Sequence, residues 1–250
     1  MNREERKKHA VMHTEDMRNR FRNEIENSIN NTIVYRENTF KEEKAKGVPA
    51  FRLVSAYSQD AAFEYKEGKT AILVFASYNN PGGGFIGGSI AQEESLCHDS
   101  FLYNVLERHI HFYEINRKDQ NRSLYKNVAL YIPDVMFFSD EESSLFDVVV
   151  CPAPNYRAAK DKGVTKEENS KALLERIKFL KGIAEENKVD TFILGAFGCG
   201  VFGQEAEEVA DIFIDIFSNS SIKNIVFAVP EGRDGNYVGF HKAWENLEEF

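Results

Sequence analysis

Short apolar runs alternate along the chain with segments whose apolar residues recur every three or four positions. The runs Thr32–Tyr35, Phe51–Tyr57, Thr70–Ser77, Val128–Ile132, Phe146–Cys151, Thr191–Leu194 and Ile222–Val229 read as strands. Two of them, Ala71–Phe75 and Ile225–Val229, are continuously apolar, the pattern of strands covered on both faces. Helical spacing fills the gaps. Thr165 with Glu168 three residues later predicts a capping box, and Leu173, Ile177, Leu180 and Ala184 mark the buried face of the helix behind it. Val209, Phe213, Ile216 and Phe217 mark another helix, and Tyr237–Leu247 a last one. Near the start, Phe21, Ile25 and Ile29 step by four within a polar stretch. Residues 1–30 are therefore expected to form a helical N-terminal extension, and residues 31–250 one domain. The alternation of strands and helices, with no internal repeat, predicts an α/β domain whose sheet is mostly parallel or mixed.

Composition narrows the function classes. The 250 residues carry 31 Lys and Arg against 40 Asp and Glu, a net charge of −9. That balance argues against binding duplex nucleic acid through a general positive field. Acids are interspersed through the first 30 residues, so a solvated helix is expected there rather than a nucleic-acid arm. The charged opening does not resemble a secretion signal, and no run approaches the ~18 apolar residues of a membrane span. Cys97, Cys151 and Cys199 are odd in number and form no CxxC pair. A reducing, cytoplasmic setting is expected, with neither disulfides nor a zinc ribbon.

The informative segments are two glycine-rich loops, each following a strand and entering a helix. The first holds Gly82, Gly83, Gly84, Gly87 and Gly88, with Gln92-Glu93-Glu94 in the first turn of the helix behind it; Leu96, Phe101, Val105 and Leu106 mark that helix's apolar side. The second holds Gly195, Gly198, Gly200 and Gly203. Free backbone N–H groups at a helix N-terminus form an anion cradle suited to a pyrophosphate. In an open α/β sheet, loops at the C-terminal strand ends are where ligands bind. Both loops fit the dinucleotide pattern GxGxxG, at Gly82-x-Gly84-x-x-Gly87 and Gly198-x-Gly200-x-x-Gly203, but neither follows the first strand of a βαβαβ half. Gly68-Lys69-Thr70 is no P-loop ending, because position 63 is Phe and a strand follows.

Asn80-Pro81-Gly82-Gly83-Gly84, then seven residues, then Gln92-Glu93-Glu94 resembles the signature of poly(ADP-ribose) glycohydrolases. The flanking ESLCHDSFLY, VVVCPAPNYRA and GAFGCGVFG resemble the compact bacterial type. The matching segments run from about residue 70 to 240, leaving the first 30 or so residues outside. The resemblance implies a macrodomain-like, three-layer α/β/α sandwich that binds ADP-ribose and hydrolyses ribose–ribose O-glycosidic bonds. It implies Glu94 as general acid/base, with Glu93 fixing the ribose through its hydroxyls. Adjacent helical residues diverge by roughly 100°, so the two carboxyls need not face one atom. The resemblance also implies a distal-ribose contact from Asn80, a loop shaped by Gly82, Gly83 and Gly84, and Gln92 among the ligand-binding residues. Gly198, Cys199, Gly200 and Val201 would offer N–H groups to the diphosphate, and Phe202 would pack on the distal ribose. For adenine the candidates are Glu37, Asn236 and Phe240. The segment IVYRENTF carries no Asp where an acid would be expected.

No cofactor or metal is implied. His9 and His13 stand four apart on the N-terminal helix, but no third ligand accompanies them. Cys97 and Cys199 are expected as small packed thiols rather than nucleophiles. The partners expected are ADP-ribose or its polymer and ADP-ribosylated proteins, with no membrane or general nucleic-acid binding, and a monomer. A non-catalytic ADP-ribose reader and a hydrolase of another ADP-ribosyl linkage stay open. No Lys or Arg clusters around the glycine loops in sequence, so recognition is expected to rest on backbone N–H groups.

Overall fold

The computed structural model describes residues 1–37, 40, 47–232 and 234–248. Its strands are β1 (Ile33–Arg36), β2 (Ala50–Val54), β3 (Thr70–Phe75), β4 (Val128–Phe138), β5 (Ser143–Cys151), β6 (Thr191–Leu194) and β7 (Asn224–Ala228). They form one sheet in the order β1-β4-β5-β3-β6-β7-β2. From β5 through β3, β6 and β7 to β2 the pairing is parallel; β1-β4 and β4-β5 are antiparallel. The helices are α1 (Arg3–Arg20), α2 (Arg22–Asn31), α3 (Ser58–Glu64), α4 (Gln92–His98), α5 (Leu102–Leu106), α6 (Ile110–Lys118), α7 (Tyr156–Lys160), α8 (Lys166–Glu186), α9 (Ala206–Phe217) and α10 (Asn236–Glu248).

Side chains alternate across a strand, and here both faces are buried. Ile72, Val74, Val148, Val150 and Val226 point to one core, shared with Ala10, Met17 and Ile25 of the N-terminal helices and with Leu96, Val105 and Phe112. Ala71, Leu73, Val149, Phe192 and Phe227 point to the other, shared with Leu173, Ile177 and Leu180 of α8 and Val209 and Phe213 of α9. The expected three-layer sandwich with a mixed sheet is present. The capping box of α8 is also present: Thr165 Oγ1 accepts from Glu168 N at 3.2 Å and Glu168 Oε2 from Thr165 N at 2.9 Å.

Several boundaries differ from the sequence reading. Residues 1–30 form two helices that break at Phe21 (φ −123°, ψ 35°). They share the main core; Val11 and Met12 are exposed, and Ala10, Thr14 and Met17 make the buried stripe. Strand β4 continues past Pro133 to Phe138, because the proline falls at a register shift between Ile132 and Val135. The helix expected from Gln92 to Leu106 is interrupted after His98, where Ser100 bridges to Phe137 of β4. The second strand ends at Val54, and Tyr57 caps α3 instead of closing the strand. Among the described residues, no helix is long and apolar enough to cross a membrane.

Helix α1 packs on α4 through imidazoles. His9 Nδ1 lies 3.2 Å from His98 Nδ1, and His13 Nε2 lies 2.8 Å from the Ser100 carbonyl. Burial lowers the His98 pKa from 6.5 to about 4, helped by the neighbouring His9, His13 and Arg6. Between those values the unfolded chain takes up a proton that the native chain refuses, so stability is full above pH 6.5 and is lost as pH falls toward 4. Thermal melts should show a shallower loss of Tm from pH 7 to pH 5 in His98→Gln than in wild type. Identical slopes would remove His98 from the acid response.

Candidate active site

Strand β3 is buried along its length and ends at Phe75, from which the first glycine loop runs over 76–91 into α4. The first three side chains of α4 each hold part of that connection. Gln92 Oε1 accepts from Phe75 N at 2.9 Å, while its Nε2 donates to Leu73 O at 2.8 Å and Ser58 Oγ at 3.1 Å. Glu93 Oε2 accepts from Ser77 N at 2.7 Å. Glu94 Oε1 accepts from Gly84 N at 2.8 Å.

The two carboxyls do not diverge. The loop wraps the helix start, so both press on Gly83: a Cβ there would lie 2.7 Å from Glu94 Oε1 and 2.8 Å from Glu93 Oε2. Gly83 also has φ +59°, so glycine is required twice over. Glu93 is 3% exposed and Glu94 7%. Burial pushes the Glu93 carboxyl well above its usual range; the Ser77 and Gly82 N–H groups oppose this, and the Glu94 charge adds to it. Among the described residues, Glu93 Oε1 is buried without a hydrogen-bond partner and Glu94 Oε2 accepts no hydrogen bond. Each glutamate thus has one oxygen pinned by the loop and one unengaged.

The second loop follows β6 and enters α9. Its turns are closed by Cys199 N to Ala196 O (3.1 Å), Gly203 N to Gly200 O (3.2 Å) and Gln204 N to Gly198 O (3.0 Å). The N–H groups of Gly198, Gly200, Val201 and Phe202 donate to no described residue, whereas the Cys199 N–H, expected in the cradle, is spent on Ala196. Buried Gln204 braces the loop through Pro154 O at 2.7 Å and a reciprocal amide pair with Asn169. Arg176, fully buried, donates to Pro152 O and fixes the segment that brings Ala153 to the same place.

These loops enclose a cleft of about 740 Å³ at the C-terminal ends of the parallel strands, within the size range of a small-ligand site. Gly83, Gln92, Glu93 and Glu94 line one wall, and Gly198, Gly200, Val201 and Phe202 another. Residues 229–232, Asp234 and Asn236 beyond β7, together with Tyr57, Ser58 and Gln59, close the rest. Tyr57, 61% exposed at the rim, was hidden from the sequence reading by its assignment to a strand. Its place at the end of a parallel strand is the signal that could have found it. No Lys or Arg lines the cleft among the described residues.

The other expected residues fall elsewhere. Gln92 reaches the cleft, but its amide is fully used on β3 and Ser58. Asn80 is exposed and, like Gly82, Gly84 and Cys199, does not line the cleft. Asn236 lines it with its side-chain amide tied to Asp234 at 2.9 Å. Phe240 is 2% exposed and packs edge-on against Phe227, which makes it a core ring. Glu37 lies at the end of β1, on the sheet edge opposite β2. Burial raises the Cys199 thiol to about 12 and the Cys97 thiol well above its usual range, so neither is a thiolate at neutral pH. No group of three or more metal-binding side chains occurs among the described residues.

A sequence profile described as "Microbial-type PARG, catalytic domain" matches residues 5–140. The N-terminal helices, expected outside the match, are therefore largely inside it. Similar solved structures include poly(ADP-ribose) glycohydrolase from Thermomonospora curvata, at TM-score 0.86 and 26% identity over 96% of this chain and 100% of that one. The same Thermomonospora enzyme bound to the inhibitor ADP-HPD superposes at TM-score 0.83 with 26% identity, over 96% of this chain and 99% of that one. The Deinococcus radiodurans enzyme in complex with ADP-ribose matches at TM-score 0.81 and 26% identity, covering 89% of this chain and 98% of that one. No curated protein matches the sequence significantly.

The raised Glu93 carboxyl has a consequence for stability. Its native pKa exceeds the unfolded value of 4.5, so stability is lost as pH rises above that point. Glu93→Gln should therefore raise Tm at pH 7 by a few degrees (~2–4 °C per kcal/mol for a domain of this size) and converge with wild type near pH 4.5. A lower Tm for the variant at pH 7 would contradict the assignment.

Proposed function

The chain belongs to the microbial-type poly(ADP-ribose) glycohydrolase family, and from that membership we propose how its cleft breaks the ribose–ribose bond. Glu94 is the general acid/base: its unengaged Oε2 delivers a proton to the leaving ribose oxygen as the anomeric carbon becomes oxocarbenium-like. The same oxygen then takes a proton from the water that attacks that carbon. Glu93, whose carboxyl burial shifts toward the protonated form, fixes the distal ribose through Oε1, which finds no partner among the described residues. The N–H groups of Gly198, Gly200, Val201 and Phe202 receive the diphosphate, and the Phe202 ring backs the distal ribose. The cleft's size fits one terminal unit, with release of ADP-ribose from a chain end.

The observation that carries this reading is the split role of each buried glutamate, with one oxygen on loop backbone and one unengaged. ADP-ribosylated proteins carry the polymer in this reading, and the enzyme acts as a monomer in a reducing, cytoplasmic setting. Three free cysteines support the reducing setting.

Two measurements test the proposal. Glu94→Gln should reduce polymer turnover by about 10²–10⁴-fold, the usual range for losing a general acid/base, while its calorimetric Kd for ADP-ribose stays within a few-fold of wild type. Equal turnover by the two proteins would remove Glu94 as the acid/base, and no turnover by either, with ADP-ribose still bound, would leave only an ADP-ribose reader. Backbone recognition also predicts a weak salt response, with log Kd changing against log salt by less than about 1. A steeper slope would require charged side chains at the diphosphate.

A further inference from the structure

The sequence shows no basic cluster beside the glycine loops, but the fold makes one. Helix α1 runs across the back of the first loop, and Arg3 and Arg6, one turn apart on the same face, reach into it. Arg3 Nε donates to Gly87 O at 3.0 Å, and Arg6 Nε donates to Gly88 O at 2.8 Å. The backbones themselves meet: Gly88 has φ +71°, and a Cβ there would lie 2.5 Å from the Arg3 carbonyl oxygen. A capping box between Asn2 and Glu5 fixes where α1 begins and so where these arginines project. Cations in the first turns of a helix sit at the wrong pole of its dipole. Their place there is explained by the loop they hold rather than by the helix.

The hold is transmitted through the peptide units of the loop. Arg6 donates to Gly88 O; the same peptide's Ser89 N–H donates to Gly84 O at 3.1 Å. The Phe85 N–H of that second peptide donates to Gly82 O at 3.0 Å, and the Gly83 N–H of the third donates to Asn80 O at 3.2 Å. All the links run in one direction, so each polarises the next. The chain passes through the Gly82–Gly83 peptide, against whose glycine both glutamates press. It also passes through the carbonyl of Gly84, whose own N–H pins Glu94. Phe85, fully buried beneath the loop, is packed by His98 and Tyr103 and edge-on by His13 of α1.

We propose that Arg3 and Arg6 are positioning residues for the reaction, acting through the glycine loop to hold Glu94 in its working geometry. This rests on Glu94 being the general acid/base. The test is steady-state kinetics on poly(ADP-ribose), with calorimetric ADP-ribose binding and Tm, for wild type, Arg3→Ala/Arg6→Ala, the single variant Arg6→Ala and Arg6→Lys. The double variant should lose about 10- to 100-fold in kcat, the scale of an ångström-level misplacement of a reacting group. Its ADP-ribose Kd should change less than about threefold, because the second loop carries the diphosphate. Arg6→Lys, which keeps the charge and a donor, should recover most of kcat. A double variant that binds ADP-ribose like wild type with wild-type kcat would overturn the proposal. Should the double variant not bind, the single variant Arg6→Ala decides alone: a drop of several-fold in kcat at unchanged Kd supports the positioning role, and an unchanged kcat overturns it. An inactive wild type would instead overturn the proposed hydrolysis.

Discussion

Three consecutive side chains at the start of α4 hold three backbone N–H groups, and the architecture around the cleft depends on that arrangement. Gln92 ties the helix to the end of β3, Glu93 ties the first residues of the loop, and Glu94 ties its middle. A short loop rich in glycine has little reason of its own to adopt one shape, since each glycine loses more conformational freedom on ordering than other residues do. Here the shape is imposed from outside by side chains that the central strand, buried on both faces, keeps in place. The Gln92 amide is consumed by this task, which explains why it reaches the cleft without offering a free group to it.

The arrangement costs stability. Two carboxyl groups are taken out of water beside each other, and one oxygen of Glu93 finds no partner. Burying such a group costs several kcal/mol when nothing compensates it. The N–H of Ser77 and that of Gly84 offset part of the cost, as does the positive end of the helix. What is left uncompensated is what a ribose hydroxyl and a leaving oxygen would satisfy. The cost is carried by the large cores on the two faces of the sheet, which explains how so polar a seam persists inside an otherwise apolar layer.

Much of the layer structure was legible because strand burial leaves a direct trace: β3, β6 and β7 are near-continuous apolar runs, and α8 announces itself by its cap and its 3–4 spacing. The carboxyl pair was visible as a motif, and the glycine spacing pointed to the second loop, but it placed the Cys199 N–H in the cradle where the fold spends it on Ala196. The misplacements have physical causes. Tyr57 belongs by composition to a strand and by geometry to the rim, because a periodicity count ends β2 at Val54 as readily as at Tyr57. Phe240 is an aromatic near a loop, but the same apolar ring fills the core against Phe227. The ~100° step between adjacent helical residues is kept, but two flexible glutamate side chains folded against one loop still bring an oxygen each to Gly83. None of these depends on residue type alone; each is set by what the chain brings next to the residue from far away.

Charge illustrates this most sharply. A net charge of −9 and a cleft wall of acids would repel a diphosphate if the field of the whole protein decided binding. Short-range donors can decide it instead, because oriented N–H groups act within a few ångströms, where solvent screening is weak. The nearest described cations of α1 stand behind the glycine loop and face peptide carbonyls rather than the cleft. Their guanidinium groups bear on the site through the loop peptides they hold. Acids can consequently line the reacting end without a compensating lysine or arginine beside them. Such a cation would stabilise the Glu93 carboxylate, whereas burial in this protein favours the protonated form.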